Sequence, residues 1–142
     1  MKFTFIQTPQ REEVVVYAPQ KSPLVQELQR LAEAAPLELV GRLGQESVPL
    51  EPAEIACFFV ENNKVYAYRQ QEKLQLKHRL YQLEARLPGD FIRINQSCIA
   101  NTRQIARFVP AFSGALQVVF KNGHTDYVSR RQLKTVKERF GI

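Results

Sequence analysis

The sequence has no tryptophan, one methionine and two cysteines in 142 residues, and it lacks any long run of apolar residues. A membrane-spanning helix needs roughly 18 to 20 such residues in succession, and the N-terminus carries no signal-peptide core either. Cys57 and Cys98 are too few and too far apart in the chain for a disulfide framework or a paired-cysteine metal site. These absences predict a cytoplasmic protein of a reducing compartment that holds no metal or other cofactor.

Motifs that carry catalytic chemistry are equally scarce. Neither histidine, His78 or His124, is paired with a carboxylate at a spacing typical of acid–base catalysis. The glycine-rich loops that cradle phosphates are missing, and both cysteines lie within apolar strand patterns, which favours small core residues. We therefore expect a protein that is not an enzyme. A hydrolase would require a nucleophile–base pair that this sequence does not offer.

What the sequence does contain is enough apolar material for a packed core and an uneven distribution of charge. Apolar residues make up 44% and charged residues 24%, which is typical of one ordinary domain or of one domain with a short appendage. The net charge of +6 comes entirely from residues 89–142, which carry nine basic and three acidic side chains. A basic surface of this kind favours a polyanion such as nucleic acid, or an acidic protein partner.

The first 36 residues predict a small β-β-α extension. Alternating phenylalanines predict a strand over 2–8, and a β-branched run predicts a second strand over 14–17. A helix should follow Ser22, carry its apolar face as far as Ala35 and stop at Pro36. So short a segment cannot bury much of a core alone, so we expect a regulatory or interaction element that docks on the rest of the chain or on a partner.

Residues 37–142 predict a second domain that is mainly β, with antiparallel strands and a few short helices. Two tight hairpins are indicated by Asn62-Asn63 and Asn122-Gly123, because asparagine and glycine tolerate positive φ. Strands are predicted over 37–42, 47–50, 55–61, 64–69, 72–76, 91–94, 98–100, 105–111, 116–120 and 124–128, with helices over 76–87 and 129–140.

Three polar, loop-like segments of this domain carry side chains suited to nucleic acid. They are Asn62–Lys64, Arg93–Ser97 and Ser129–Gln132. Asparagine, glutamine and arginine can read base edges, whereas serine hydroxyls and lysines suit phosphates. Taken singly, each segment is typical of a turn or a solvated helix face. Together they suggest loops that converge on a duplex groove, and the absence of an aromatic platform disfavours RNA.

Residues from about 37 to 141 resemble the LytTR DNA-binding domain of bacterial transcription regulators. The segments that carry the resemblance are Ile55–Glu61, Phe91–Asn101, Phe120–Gly123 and Tyr127–Arg131. The resemblance implies an elongated, mainly antiparallel β fold of small stacked sheets. It also implies that loops, not a recognition helix, enter successive major grooves.

By motif, the base contacts of this family fall on Asn63, Gln96 and Arg131. Phosphate contacts, or support of the reading residues, fall on Lys64, Arg93, Asn95, Ser97, Ser129 and Lys134. Many members have histidine where this chain has Asn95, so the resemblance carries over no base preference.

The sequence thus predicts a sequence-specific, double-stranded DNA-binding transcriptional regulator of the bacterial cytoplasm. The resemblance implies a homodimer on repeated half-sites, bending of the DNA, and a stand-alone regulator whose residues 1–36 replace a receiver domain. It also suggests a membrane-bound inhibitory protein as a partner, and no small-molecule substrate is expected. The alternative is a basic protein-interaction module that docks an acidic partner.

Overall fold

The computed structural model describes residues 1–33 and 37–142. The chain forms two compact units, Met1–Pro36 and Leu37–Ile142.

The first unit contains one helix, α1 (Pro23–Glu33), within its described residues. Ser22 caps this helix, because its Oγ accepts a hydrogen bond of 3.3 Å from the backbone N–H of Val25. The predicted helix is therefore confirmed, although its expected last turn at Ala35 and its stop at Pro36 lie outside the described residues.

The two strands predicted ahead of this helix, over 2–8 and 14–17, are wrong. The described residues 1–22 contain no strand, and Phe3 and Tyr17 are 88% and 94% exposed. A strand needs a hydrogen-bonding neighbour and an apolar surface on which to pack, and a lone pair of short strands is at best marginal in water. Alternating side chains alone provide neither, so the described part of the extension holds a helix and no β-β pair.

The second unit contains ten strands and two α-helices in its described residues. The strands are β1 (Leu39–Leu43), β2 (Glu46–Leu50), β3 (Ile55–Glu61), β4 (Lys64–Arg69), β5 (Glu72–Leu76), β6 (Phe91–Asn95), β7 (Cys98–Asn101), β8 (Ile105–Pro110), β9 (Leu116–Phe120) and β10 (Thr125–Val128). The helices are α2 (Leu80–Arg86) and α3 (Arg130–Phe140). None of the described helices is long and apolar enough to cross a membrane.

The strands form two antiparallel sheets, which confirms the predicted mainly β class. The larger sheet has seven strands in the order β2-β1-β5-β4-β3-β7-β6, and the smaller has three in the order β10-β9-β8. Each recorded strand pair is antiparallel. Within the larger sheet, neighbouring strands that follow each other in sequence are joined by short turns, a 3₁₀ helix (Pro52–Glu54) connects β2 to β3, and α2 lies between β5 and β6.

The larger sheet is covered on both faces, so the domain has two apolar clusters. One cluster lies between the sheet and α2, and it includes Phe58, Leu74 and Leu83. The other lies between the sheet, the smaller sheet and α3, and it includes Phe59 and Val136. Because β3 has a covered surface on either side, it is apolar from Ile55 to Val60 instead of alternating.

The two sheets are also joined by a reciprocal pair of hydrogen bonds between turns. The side chain of Asn122, in the β9–β10 turn, donates to the carbonyl of Gln70, and the Gln71 side chain donates back to the carbonyl of Asn122, both over 2.7 Å. This link lies at the end of the larger sheet that holds the β4–β5 turn.

Candidate nucleic-acid interface

The β3–β4 hairpin ends in a two-residue turn formed by Asn62 and Asn63. Their φ angles are 52° and 62°, and the residues that close the turn, Glu61 and Lys64, are paired. Two consecutive positive φ values define the turn type that matches the twist of a hairpin, and asparagine tolerates them well. The predicted turn is confirmed, and Asn62, Asn63 and Lys64 are all exposed.

The second polar segment is the turn between β6 and β7. Asn95 pairs with Cys98, which leaves Gln96 and Ser97 as the two turn residues, both exposed. Oδ1 of Asn95 accepts a hydrogen bond of 2.7 Å from the backbone N–H of Ser97 and so closes the turn. A register shift between Arg93 and Asn95 marks a β-bulge immediately before it, and bulges of this kind re-aim side chains at strand ends.

Arg93 holds the backbone of this turn. Its Nε donates to the carbonyl of Asn95 over 2.9 Å, and its Nη2 donates to the carbonyl of Gln96 over 2.7 Å. Its Nη1 pairs with Oε2 of Glu84 on α2 over 2.9 Å. The guanidinium is thus engaged on three sides by the protein itself, which fits support of the turn better than contact with a phosphate.

The third segment, the start of α3, is bonded to the end of β6. The backbone N–H of Ser129 donates to the carbonyl of Ile94 over 2.8 Å. The Asn95 side chain adds a hydrogen bond of 2.8 Å to the carbonyl of Tyr127, just ahead of the helix. Arg131 and Lys134, in the first part of α3, are exposed.

Strand pairing brings these three segments to one end of the larger sheet. β3 runs antiparallel to β7, and the backbone N–H of Val60, near the end of β3, donates to the carbonyl of Ser97 over 2.9 Å. The hairpin tip after β3 and the turn before β7 therefore lie at the same end, and the start of α3 is bonded to the strand that leads into that turn. The opposite end carries the β4–β5 turn.

All nine residues singled out from the sequence belong to these three segments, and none of the nine is buried. We call this set the candidate interface: Asn63, Lys64, Arg93, Asn95, Gln96, Ser97, Ser129, Arg131 and Lys134.

Exposed cations of the candidate interface are available to an anionic partner. Lys64, Arg131 and Lys134 form no ion pair within 4 Å with another residue in the described part of the chain. Cations without an internal partner can neutralise phosphates, and each contact releases condensed counterions from a duplex. The geometry thus offers exposed amides and arginine for base edges beside unpaired lysines for phosphates.

A buried polar cluster lies at the start of β7, next to this surface. Cys57 and Cys98 are fully buried free thiols, which confirms their interpretation as core residues. Hydrogen bonding between them raises the pKa of Cys98 well above its ordinary value and lowers the pKa of Cys57 to about 7. His124 is packed among aromatic rings, with its ring centroid 4.5 Å from that of Tyr68, and its own pKa is raised chiefly by a hydrogen bond with Cys57.

Two acidic residues that contact the candidate interface were not anticipated from the sequence. Glu84 pairs with Arg93, and Oδ1 of Asp126 accepts a hydrogen bond of 2.9 Å from Nδ2 of Asn95. Both contacts join different elements, and no local pattern reports such a pairing. The only signal in the sequence was that Asp126 is an acidic residue within the basic C-terminal segment, and this did not identify its partner.

Comparison with known proteins gives a family-level match. A family model described as "LytTr DNA-binding domain" matches residues 45–141. Among solved structures, a LytTr DNA-binding domain from Bacillus cereus superposes with a TM-score of 0.70 at 20% identity, covering 76% of this chain and 100% of that one. At this identity the likeness establishes the fold alone.

Relatives of similar size match most of this chain. Proteins of Staphylococcus aureus strains NCTC 8325 / PS 47 and COL, each named as an uncharacterized HTH-type transcriptional regulator, are 38% identical over 104 residues. The alignment covers 73% of this chain and 71% of each relative.

Proposed function

Because the chain belongs to the LytTR family of DNA-binding domains, we propose that it is a sequence-specific transcriptional regulator that binds double-stranded DNA. Its membership confirms the resemblance drawn from the sequence. The observation that carries the finer proposal is the meeting of three exposed polar segments at one end of the larger sheet. In this proposal the three segments enter successive major grooves.

Within the candidate interface, the side chains divide by chemistry. Asn63 and Gln96 carry amides, which can pair with adenine, and Arg131 carries a guanidinium that can pair with guanine in two-hydrogen-bond contacts. Lys64, Ser97, Ser129 and Lys134 are suited to phosphates. Arg93 and Asn95 serve as supports, since their polar groups already bind the backbone of the β6–β7 turn.

We favour recognition of the DNA by loops over recognition by a helix inserted in the major groove. Among the described residues, five strands separate α1 from α2, and another five separate α2 from α3. A helix–turn–helix pair needs two helices joined by a short turn, and the described part of the chain contains no such pair. Loops and strands can occupy a major groove instead.

We also propose that the protein binds repeated half-sites and bends the DNA. Two copies of the chain on two half-sites would form a homodimer on DNA. Bending has a deformation cost that depends on sequence, so it would add discrimination at base pairs that no side chain contacts. We place this activity in the bacterial cytoplasm, without catalysis or a small-molecule substrate.

The N-terminal unit is proposed as the regulatory or interaction element, and a membrane-bound inhibitory protein is the partner we propose for it. Supporting this, Leu24 and Leu31 of α1 are 51% and 53% exposed. Exposed apolar side chains at helical spacing are typical of a surface that another protein covers.

The experiment that tests the proposed function is selection of bound sequences from a random duplex library with the full chain. We expect enrichment of a repeated motif, followed by a mobility shift with that motif that a scrambled duplex of equal length does not give. The salt concentration must be held constant, because the phosphate contribution varies steeply with it.

Two outcomes would contradict sequence-specific binding. Equal binding of motif and scrambled duplexes would indicate non-specific attraction by the basic C-terminal segment. No binding to either duplex, together with capture of an acidic protein, would favour the alternative of a protein-interaction module. Retention on heparin cannot separate these cases because both are electrostatic.

A further inference from the structure

Asn95, a residue of the candidate interface, forms side-chain hydrogen bonds that connect the two sheets. Asn95 ends β6 of the larger sheet, and Asp126 lies on β10 of the smaller sheet. Nδ2 of Asn95 donates to Oδ1 of Asp126 over 2.9 Å, and both residues are half-buried. The bond spans 31 positions of the chain.

Both N–H donors and the oxygen of the Asn95 amide form hydrogen bonds in this arrangement. Besides Asp126, its Nδ2 donates to the carbonyl of Tyr127 over 2.8 Å, while its Oδ1 accepts from the backbone N–H of Ser97 over 2.7 Å. Asp126 in turn accepts from the backbone N–H of Tyr127 over 2.7 Å. One carboxylate thus orients the amide that closes the β6–β7 turn and ties it to the residues just ahead of α3.

A carboxylate at this location is unfavourable for simple attraction of DNA. Asp126 is one of three acidic residues in the basic segment 89–142. Within the described part of the chain, no cation lies within 4 Å of it to form an ion pair. Its charge repels phosphates, so any contribution to binding must come from geometry and not from electrostatic attraction.

We propose that Asp126 is a positioning residue for DNA recognition: through Asn95 it holds the β6–β7 turn at a fixed spacing from the start of α3. The turn presents Gln96, and the helix presents Arg131, so the bond sets the register between two reading side chains. A site held by well-supported hydrogen bonds discriminates better than a loose one. This inference rests on the proposed function, since it assigns a role within that same interface.

Three substitutions of Asp126 separate geometry from charge. Asp126→Asn keeps an oxygen acceptor at the same place and removes the charge. Asp126→Glu keeps the charge but moves the acceptor by one methylene, and Asp126→Ala removes both. Asp90→Asn is the matched control, because Asp90 is also an acidic residue of the basic segment but pairs with Arg103 over 3.0 Å, outside the candidate interface.

The measurement is the affinity of each full-length variant for the selected motif and for a scrambled duplex at one salt concentration. We expect Asp126→Asn and Asp90→Asn to keep the wild-type ratio of the two affinities. Asp126→Glu and Asp126→Ala should lower that ratio about tenfold, the scale of one lost base contact, while binding to the scrambled duplex is not weakened.

A second readout reports on the turn itself. Exchange of the Ser97 amide proton should be faster in Asp126→Glu than in the wild type at an unchanged melting temperature, because the Asn95 acceptor is no longer held in place. Should Asp126→Ala fail to fold, the comparison of the Asn and Glu variants with this exchange rate decides the question alone.

Three results would overturn the inference. If the Glu and Ala variants keep the wild-type ratio, Asp126 does not position the reading residues, although the proposed function stands. If the Asn variant loses discrimination while the Glu variant keeps it, charge and not geometry is responsible. A wild-type chain that binds both duplexes equally overturns the proposed function, and this inference with it.

Discussion

The backbone N–H of Ser129 donates to the carbonyl oxygen of Ile94 over 2.8 Å, and this bond attaches the start of α3 to the end of β6. Ile94 lies between the residues where the β6–β7 register shifts, so it is the extra residue of a β-bulge. A bulge residue is left out of the regular ladder, and here its carbonyl binds the residue that precedes α3. The start of α3, which carries Arg131, is therefore attached to an irregular position of a strand.

Arg131→Ala should reduce affinity for the selected DNA motif by about 1–3 kcal/mol and relax preference at one base pair, because a two-hydrogen-bond guanine contact is lost. The measurement is a repeat of the duplex selection with the variant. Binding to scrambled duplexes should change much less.

Lys134→Ala is the matched substitution on the same exposed part of α3. It should weaken binding to all duplexes by a similar factor and reduce the dependence of affinity on salt by roughly one phosphate contact. Affinities measured at several salt concentrations test this. If both variants lost affinity equally on motif and scrambled DNA, the roles assigned to these two side chains would be wrong.

Asn63→Gly should weaken specific binding by about 1–3 kcal/mol without lowering the melting temperature. Glycine adopts the φ of 62° at this position as easily as asparagine, so the turn is kept while the reading amide is removed. Alanine would strain the turn and confuse the two effects. Mobility shifts with motif and scrambled duplexes, together with a thermal melt, provide the measurement.

The control for this substitution is Gln70→Gly in the β4–β5 turn. Gln70 also has a positive φ, of 54°, but it lies at the opposite end of the larger sheet. We expect its DNA binding to equal that of the wild type. Loss of binding in Asn62→Gly with normal binding in Asn63→Gly would shift the base contact to the preceding residue.

Local chemistry explains which parts of the fold were predictable. The turns at Asn62-Asn63 and Asn122-Gly123 depend on residues that tolerate positive φ, and two adjacent residues of this kind are enough to predict a turn. Strands β3, β4, β5 and β9 have the bounds that their apolar patterns predicted. The wrong strands, over 2–8 and 14–17, had the pattern but no neighbour to pair with.

The residues of the candidate interface were predictable as separate segments, but their support was not. Asn95 and Asp126 are 31 positions apart, and the sequence around either residue does not predict a contact with the other. The register shift between Ile55 and Cys57 is similar: it sends Ile55 to one apolar cluster and both Ala56 and Cys57 to the other. Such long-range geometry follows from packing of the whole domain.

Gly41→Ala should destabilise the domain by about 1–3 kcal/mol, because an added Cβ would lie 2.8 Å from both Leu50 Cδ1 and Leu74 Cβ. Leu74 is fully buried, and its Cβ cannot move aside without a shift of the β5 backbone. Gly44→Ala is the control: its φ is +61° but no atom lies within 4 Å of an added Cβ, so only backbone strain of about 1 kcal/mol applies. Urea unfolding measures both. A Gly41 variant as stable as the Gly44 variant would contradict close packing there.

Arg93→Lys should lower specific DNA affinity about tenfold although the positive charge is kept. Lysine cannot reproduce the fork that binds the carbonyls of Asn95 and Gln96, so the turn that presents Gln96 loses its backbone support. If Arg93 instead held a phosphate, lysine would replace it with little loss, and the salt dependence would be the same.

Arg103→Lys serves as the matched control for Arg93→Lys, because the Arg103 side chain is 78% exposed and pairs with Asp90. We expect its affinity for both duplexes to match the wild type, since no backbone carbonyl in the candidate interface depends on it. Mobility shifts at two salt concentrations distinguish support of the turn by Arg93 from a phosphate contact. Support by Arg93 requires a loss confined to the selected motif, whereas affinities and a salt dependence equal to those of the wild type on both duplexes would identify Arg93 as a phosphate contact and refute its supporting role.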